Sequence, residues 1–251
     1  MSLKIVQLTD THLFESAAGT LYGINTLRTL EAVVTDVAAR HAELDALLLT
    51  GDLSQDETPE SYELLKRTLA PLQQAPFYAI PGNHDNLARM QECLPGEGFF
   101  LGRDLRLDPW RFAMLNSRVP GQVHGEVGAA QLARLRQSLE AEERHTIVVL
   151  HHPPVVVNSA WLDTSRCFDG HEFLAALSNP PVEAVVCGHV HQLFETEVDG
   201  IPIISTPSTC AQFAPGEEKF ATDDDADPGY RVFELHDDGS WSTTVERVPV
   251  E

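Results

Sequence analysis

Two kinds of apolar run alternate along the chain. Ile5–Leu8, Ala46–Leu49, Phe77–Ile80, Thr146–Leu150 and Val182–Cys187 are short and apolar at nearly every position. Between them lie longer stretches with apolar residues at helical spacing, such as Leu27, Leu30, Val34, Val37 and Ala38, and then Tyr62, Leu65, Leu69 and Leu72. Residues 131–143 read as a further helix and 111–115 as a further strand. Strands apolar on both faces and separated by helices predict an α/β architecture with its sheet buried between helical layers. The pattern changes past residue 200. Ile201–Ser205, Tyr230–His236 and Trp241–Val248 read as strands, with turn signals at Asp199-Gly200 and Asp238-Gly239. They predict a second, more antiparallel sheet at the end of the chain. No internal repeat is present.

Polar residues close the buried strands. Asp10-Thr11-His12, Gly51-Asp52, Gly82-Asn83-His84-Asp85, His151-His152 and Gly188-His189-Val190-His191 each follow an apolar run. Singly, each fragment has an ordinary explanation as a helix cap, a turn or a satisfied histidine. Together they do not, because burying imidazoles and carboxylates without partners is costly. Open α/β sheets place their ligand crevice at the carboxyl ends of strands. Carboxylate, carboxamide and imidazole donors without cysteine suit Mn, Fe, Zn or Co and disfavour a thiolate zinc site. These are too many ligands for one ion and enough for two sharing a carboxylate. Such a pair, about 3.5–4 Å apart, can clamp the attacking and leaving oxygens of a phosphoryl displacement.

Charge narrows the substrate. The chain has 251 residues, with 17 Lys+Arg against 38 Asp+Glu, for a net charge of −21. A nucleic-acid polymer needs a basic track that this composition does not supply. A small anionic substrate remains open, since bound metal ions reverse the local field. No run of about 18 apolar residues predicts a membrane span, and the first residues have neither an apolar core nor a cleavage site of an export signal. Cys93, Cys167, Cys187 and Cys210 are scattered and are expected as free thiols. These observations predict a cytoplasmic protein. His41, His124, His145, His171 and His236 lie outside the clusters and are expected at the surface or in packing. Trp110, Trp161 and Trp241 are expected in the core or an interface, while Phe213 or a neighbour could stack on a nucleobase. The acidic stretch 216–227, with Asp223-Asp224-Asp225, reads as a solvated, mobile loop.

In order, the five clusters resemble the calcineurin-like metallophosphoesterases, whose pattern D-x-H, G-D, G-N-H-[DE], H, G-H-x-H is complete over residues 10–191. A closer resemblance is to bacterial class III 3′,5′-cyclic AMP phosphodiesterases. It extends through Leu8–Leu13, Leu49–Asp56, Cys187–Gln192, Thr206–Phe213, Pro228–Arg231 and Glu234–His236. The resemblance implies one domain over residues 1–251, with a four-layer fold of two packed mixed sheets flanked by helices. It implies one metal on Asp10, His12, Asp52 and His191, and a second on Asp52, Asn83, His151 and His189, bridged by Asp52. Iron and manganese are the expected metals, with Zn, Co or Mg as alternatives. The pattern favours His151 over His152, although the sequence itself leaves both open. The implied reaction is in-line attack on phosphorus by a hydroxide shared between the metals. His84 would contact the phosphate and protonate the leaving oxygen. His12, Asp52, Asn83 and His191 would border the same substrate, and Asp85 would orient His84 or cap the following helix. Hydrolysis of another small phosphodiester or pyrophosphate is the alternative activity. A non-catalytic scaffold is disfavoured because no ligand is missing. Oligomeric state is left open.

Overall fold

A computed structural model describes residues 2–96, 98–141, 143–177 and 182–250; Met1, Glu251 and Glu142 of the expected 131–143 helix lie outside them. The elements run β1 (Ser2–Leu8), β2 (Thr20–Leu21), β3 (Ile24–Asn25), α1 (Thr26–Arg40), β4 (Ala46–Leu49), α2 (Pro59–Leu69), β5 (Phe77–Ala79), α3 (Leu87–Cys93) and β6 (Phe99–Leu101). They continue with β7 (Leu105–Leu107), β8 (Trp110–Met114), α4 (Ala129–Glu140), β9 (His145–Val149), α5 (Ala160–Asp163), α6 (Gly170–Leu177) and β10 (Val182–Cys187). The remaining strands are β11 (Phe194–Val198), β12 (Ile201–Ser205), β13 (Gly229–His236) and β14 (Trp241–Arg247).

Two six-stranded mixed sheets result, ordered β14-β13-β1-β4-β5-β6 and β11-β12-β10-β9-β8-β7. Alternation along each strand divides its side chains between two apolar layers. Ile5, Leu48, Phe112, Ile147, Val149, Val186 and Phe233 fill the space between the sheets. Val6, Leu8, Leu47 and Leu49 point the other way and pack on Leu30, Val33 and Val37 of α1 and Tyr62, Leu65 and Leu69 of α2. On the far side, Val148, Leu150, Val185 and Ile203 meet Leu135 and Leu139 of α4 and Phe173 and Leu177 of α6. The both-face hydrophobicity of the strands therefore has a direct cause: each is covered by a sheet on one side and helices on the other. Helix starts are fixed locally, with Asn25, Thr58 and Asn86 accepting hydrogen bonds from Arg28, Ser61 and Arg89 backbone amides. These are ordinary N-caps.

The late strands do not form a sheet of their own, contrary to the sequence-based expectation. β12 pairs parallel to β10, and β11 pairs antiparallel to β12, extending the second sheet. β13 pairs antiparallel to β1, and β14 to β13, completing the first. Alternation tells which residues face inwards; it carries no information about which sheet edge a strand joins.

Register decides where the polar clusters emerge. Leu8 lies beside Leu49, and Leu49 beside Ala79, so the segments after β1, β4 and β5 leave the first sheet level with one another. In the second sheet Val149 lies beside Val186. Gln7, fully buried, ties the two sheet ends together. Its amide donates to the Thr50 hydroxyl at 2.9 Å and the Cys187 carbonyl at 3.1 Å, and its carbonyl accepts from Thr206 at 2.5 Å.

Candidate active site

Five left-handed backbone positions mark this end of the molecule: Asp10 (φ 55°), His12 (44°), Asp52 (51°), His189 (70°) and His191 (49°). A non-glycine residue there is strained by about 1–2 kcal/mol. Backbone bonds hold the distortion: the amides of Asp10 and His12 donate to the carbonyls of Gly51 (3.0 Å) and Asp52 (2.9 Å). The strain turns the five side chains into one space. Glycines make that space by their lack of a side chain. A Cβ on Gly82 would lie 2.1 Å from Asp52 Oδ1, and one on Gly51, itself at φ +100°, would lie 2.5 Å from His151 Nδ1.

Around that space, His151 Nε2 is 3.3 Å from Asp52 and 4.0 Å from Asp10; His191 Nε2 is 3.4 Å from Asp10; and His12 Nε2 is 3.8 Å from Asp52. The second nitrogen of each ring is committed elsewhere. Nδ1 donates to the Thr50 carbonyl from His151, to the Ala211 carbonyl from His191 and to Gln55 Oε1 from His12, at 2.8, 2.8 and 2.7 Å. Such bonds fix the tautomer and turn Nε2 inwards, as a lone-pair donor in His12 and His191 and in His151 once its second proton is displaced. The Nε2 atoms of His12 and His191 consequently face each other at 3.0 Å with no proton to share. His151 Nε2, despite the Asp52 carboxylate 3.3 Å away, and Asn83 Oδ1 are buried without a hydrogen-bond partner. Lone pairs converging on one another beside two carboxylates are what a bound cation satisfies, and the donor set fits divalent metals. His189 Nε2 engages the Ser165 hydroxyl at 2.9 Å, which leaves Nδ1 free. Its backbone amide donates to Asp10, and the Thr9 hydroxyl holds the same carboxylate at 2.6 Å.

His152 is also buried in this region but has no free nitrogen. Ser117 donates to its Nδ1 at 2.8 Å and its Nε2 donates to the Val123 carbonyl at 3.1 Å. Of the two neighbours, His151 keeps a nitrogen without a hydrogen-bond partner and His152 does not.

Charge states follow from crowding. Burial drives His12 down to about 4 against the pull of Asp52, and drives His189 down to about 3 with help from His151. Both are neutral donors. Burial also opposes charge on His151, but Asp52 and Asp10 outweigh it and push the group up to about 9. Burial raises the Asp10 and Asp52 carboxyls, yet the surrounding imidazoles bring both below the usual range.

His84 is half-buried at the rim, its backbone amide donating to Asp52 Oδ1 at 2.8 Å. Its ring partner is Gln55, not Asp85. Gln55 Nε2 donates to His84 Nδ1 at 3.3 Å while Gln55 Oε1 accepts from His12. His84 is thereby set with its proton on Nε2. Asp85 neither orients His84 nor caps α3, whose cap is Asn86. It accepts from the backbone amides of Leu53, Ser54 and Gly82 and from the Tyr62 hydroxyl, clipping the loop after β5 to the loop after β4. Burial and Asp52 together raise its pKa to about 6 against those donors. Gln55 and Ser165 were not identified from sequence as site residues. Gln55 had a local signal, lying three residues past Asp52; Ser165 reaches His189 only through folding.

The cavity over this centre has a volume of about 170 Å³, and its lining includes His12, Asp52, Asn83, His84, His189 and His191. Of the expected packing residues, Trp110 is in the core, and Trp161 packs on Val157, Leu162, Val190 and Phe213 while also lining this cavity. The acidic stretch is anchored rather than free: Gly216 donates to Ser159, Ala160 to Glu217, Ala214 to Ala221 and Asp223 to Gln212.

Residues 3–193 match the calcineurin-like phosphoesterases. The chain belongs to that family, and the family together with the His/Asp cluster implies a dinuclear divalent metal centre. It is 42% identical to the 3′,5′-cyclic adenosine monophosphate phosphodiesterase CpdA of Vibrio vulnificus, over 98% of this chain and 90% of that protein. Identity is 36% to CpdA of Escherichia coli K12, with the same coverage, and 39% to a 3′,5′-cyclic-nucleotide phosphodiesterase of Nostoc, over 99% and 94%. The fold is shared with a purple acid phosphatase from yellow lupin (TM-score 0.70, 15% identity, 98% of this chain and 52% of that one). It is shared too with a dimetal phosphatase from Danio rerio (TM-score 0.64, 13% identity, 98% and 99%).

Proposed function

We propose that the chain is a single-domain, metal-dependent 3′,5′-cyclic AMP phosphodiesterase acting in the cytoplasm, and that it releases 5′-AMP. The observation that carries this is the convergence of unsatisfied Nε2 and carboxylate groups on one space, in a chain 36–42% identical, nearly end to end, to proteins named for that activity. Asp10, His12, Asp52 and His191 would hold one cation, and Asp52, Asn83, His151 and His189 the other. Iron or manganese suits this mixed nitrogen and oxygen set. Bound there, the cations supply the charge that acidifies a water and neutralises phosphoryl oxygens.

The remaining chemistry belongs to side chains. His12, Asp52, Asn83 and His191 border the space a phosphodiester must enter. His84 presents Nε2 at its rim, where the ring, once protonated on both nitrogens, can pass the Nε2 proton to the departing 3′ oxygen and return to neutral imidazole; imidazole is suited to that role. Among the described residues no lysine or arginine lines the cavity, so a single phosphate held by the centre fits better than a polyphosphate.

The test is metal-reconstituted protein assayed on cyclic AMP, cyclic GMP, 2′,3′-cyclic AMP and an aryl phosphodiester. The highest kcat/KM is expected on cyclic AMP, with Asp52→Ala inactive. Preference for a non-nucleotide diester, or activity surviving Asp52→Ala with metal supplied, would overturn the reading.

A further inference from the structure

The metal-facing residues form one wall of the cavity; Tyr22, Trp161 and Phe213 form another, with Phe220 packed against these three rings. Phe213 stacks on His191 with ring centroids 4.2 Å apart and planes 10° from parallel. Outward from it, Trp161 meets Phe213 edge-on at 5.0 Å and Phe220 at 5.2 Å. Tyr22 then packs on Phe220 at 4.8 Å and lies 6.0 Å from Phe213. The four rings come from distant parts of the chain: the β2–β3 turn, α5 and the β12–β13 connection. Phe213 and Trp161 belong to a small apolar cluster with Val157, Leu162 and Val190, but core packing does not account for Tyr22 and Phe220, which are 53% and 48% exposed. A large exposed apolar group is informative when it joins others beside a cleft. Trp161 Nε1 adds a polar feature, being a buried donor without a partner. Such a group is expensive to leave unpaired and is satisfied by an acceptor from a ligand.

We propose that this aromatic wall is the nucleobase subsite: the adenine ring of the cyclic nucleotide lies against Tyr22, which Phe220 braces, while its phosphate sits at the centre, and Trp161 Nε1–H donates to a ring nitrogen. The proposal rests on the phosphodiesterase reading above and adds how the base is recognised. A flat heteroaromatic ring is the occupant that matches stacking faces together with a lone N–H donor; a glycerol-like substituent would use neither. Among the described residues the subsite carries no lysine or arginine, so affinity for the base comes from stacking. It also gives the acidic 216–227 stretch a purpose, because its pinned backbone presents Phe220. A second cleft of about 550 Å³, near Leu87, Phe100 and Arg103, includes none of the metal-facing residues and provides an internal control.

The experiment compares wild type, the double variant Tyr22→Ala/Phe220→Ala and the control Phe100→Ala, all metal-loaded. Substrates are cyclic AMP and a base-free ribose 3′,5′-cyclic phosphate. Stacking of a base is worth roughly a 10- to 100-fold effect. The double variant should therefore raise KM for cyclic AMP by about that factor, with kcat little changed and the base-free substrate unaffected. Phe100→Ala should match wild type. Independently of turnover, 5′-AMP should quench tryptophan emission in wild type and not in Trp161→Phe. Equal losses on both substrates would show that the rings merely brace His191, and would overturn the proposal. So would a wild type that does not distinguish the two substrates. If neither cyclic diester is cleaved, the phosphodiesterase reading fails, and the base subsite then stands or falls on the 5′-AMP quenching.

Discussion

At the scale of single residues, one glutamine sets the protonation of two histidines. Gln55 accepts a hydrogen bond from His12 Nδ1 through its carbonyl and donates one to His84 Nδ1 through its amide. His12 is left as an acceptor and His84 as a donor at Nε2, although the two rings lie only 5.1 Å apart. If His84 donates its proton to the leaving oxygen, its removal should hurt in proportion to how poor the leaving group is. A ribose 3′ alkoxide needs the proton and p-nitrophenolate hardly does. His84→Ala should lose about 10²- to 10⁴-fold in kcat on cyclic AMP, and much less on an aryl ester, with metal content intact. Equal losses would make His84 a phosphate holder, and loss of a metal would make it a ligand.

Secondary-structure elements were legible wherever one physical rule governs them. The buried strands stood out because both faces are covered, and their ends stood out because buried imidazoles and carboxylates need a reason. The destination of the late strands was not legible, since alternation is the same in either sheet. Nor was the role of Asp85, which sequence placed beside His84 and folding turned toward another loop. Its four donors make the loop after β5 dependent on the loop after β4. Asp85→Ala leaves buried amides unsatisfied, each costing about 1–3 kcal/mol. A clear fall in Tm is expected, together with weaker metal retention, because Asn83 sits on the released loop. Unchanged melting would show the clip to be dispensable.

Across the whole molecule, the candidate ligands come from both sheets: Asp10, His12, Asp52 and Asn83 from the first, His151, His189 and His191 from the second. Metal bound between them would bind the folded state and not the unfolded one, so chelation should lower Tm. The size of that drop should depend on pH. His151 is raised from 6.5 to about 9 in the metal-free fold, so its imidazolium stabilises that fold fully below about 6.5 and loses the contribution as pH rises through about 9. Metal must displace the same proton, so its affinity grows over the same range. The Tm difference between loaded and chelated protein should therefore widen from pH 6.5 to 9; a constant difference would argue against His151 as a ligand. The pairing of β1 with β13 has a consequence for the order of events during synthesis. Every metal-facing side chain has been made by residue 191, yet β1 keeps an open edge until residues 229–236 arrive to cover it. A nascent chain thus holds all its metal-binding groups before the sheet beneath them is closed, and premature termination between those points would leave a sticky strand edge attached to a nearly finished active site.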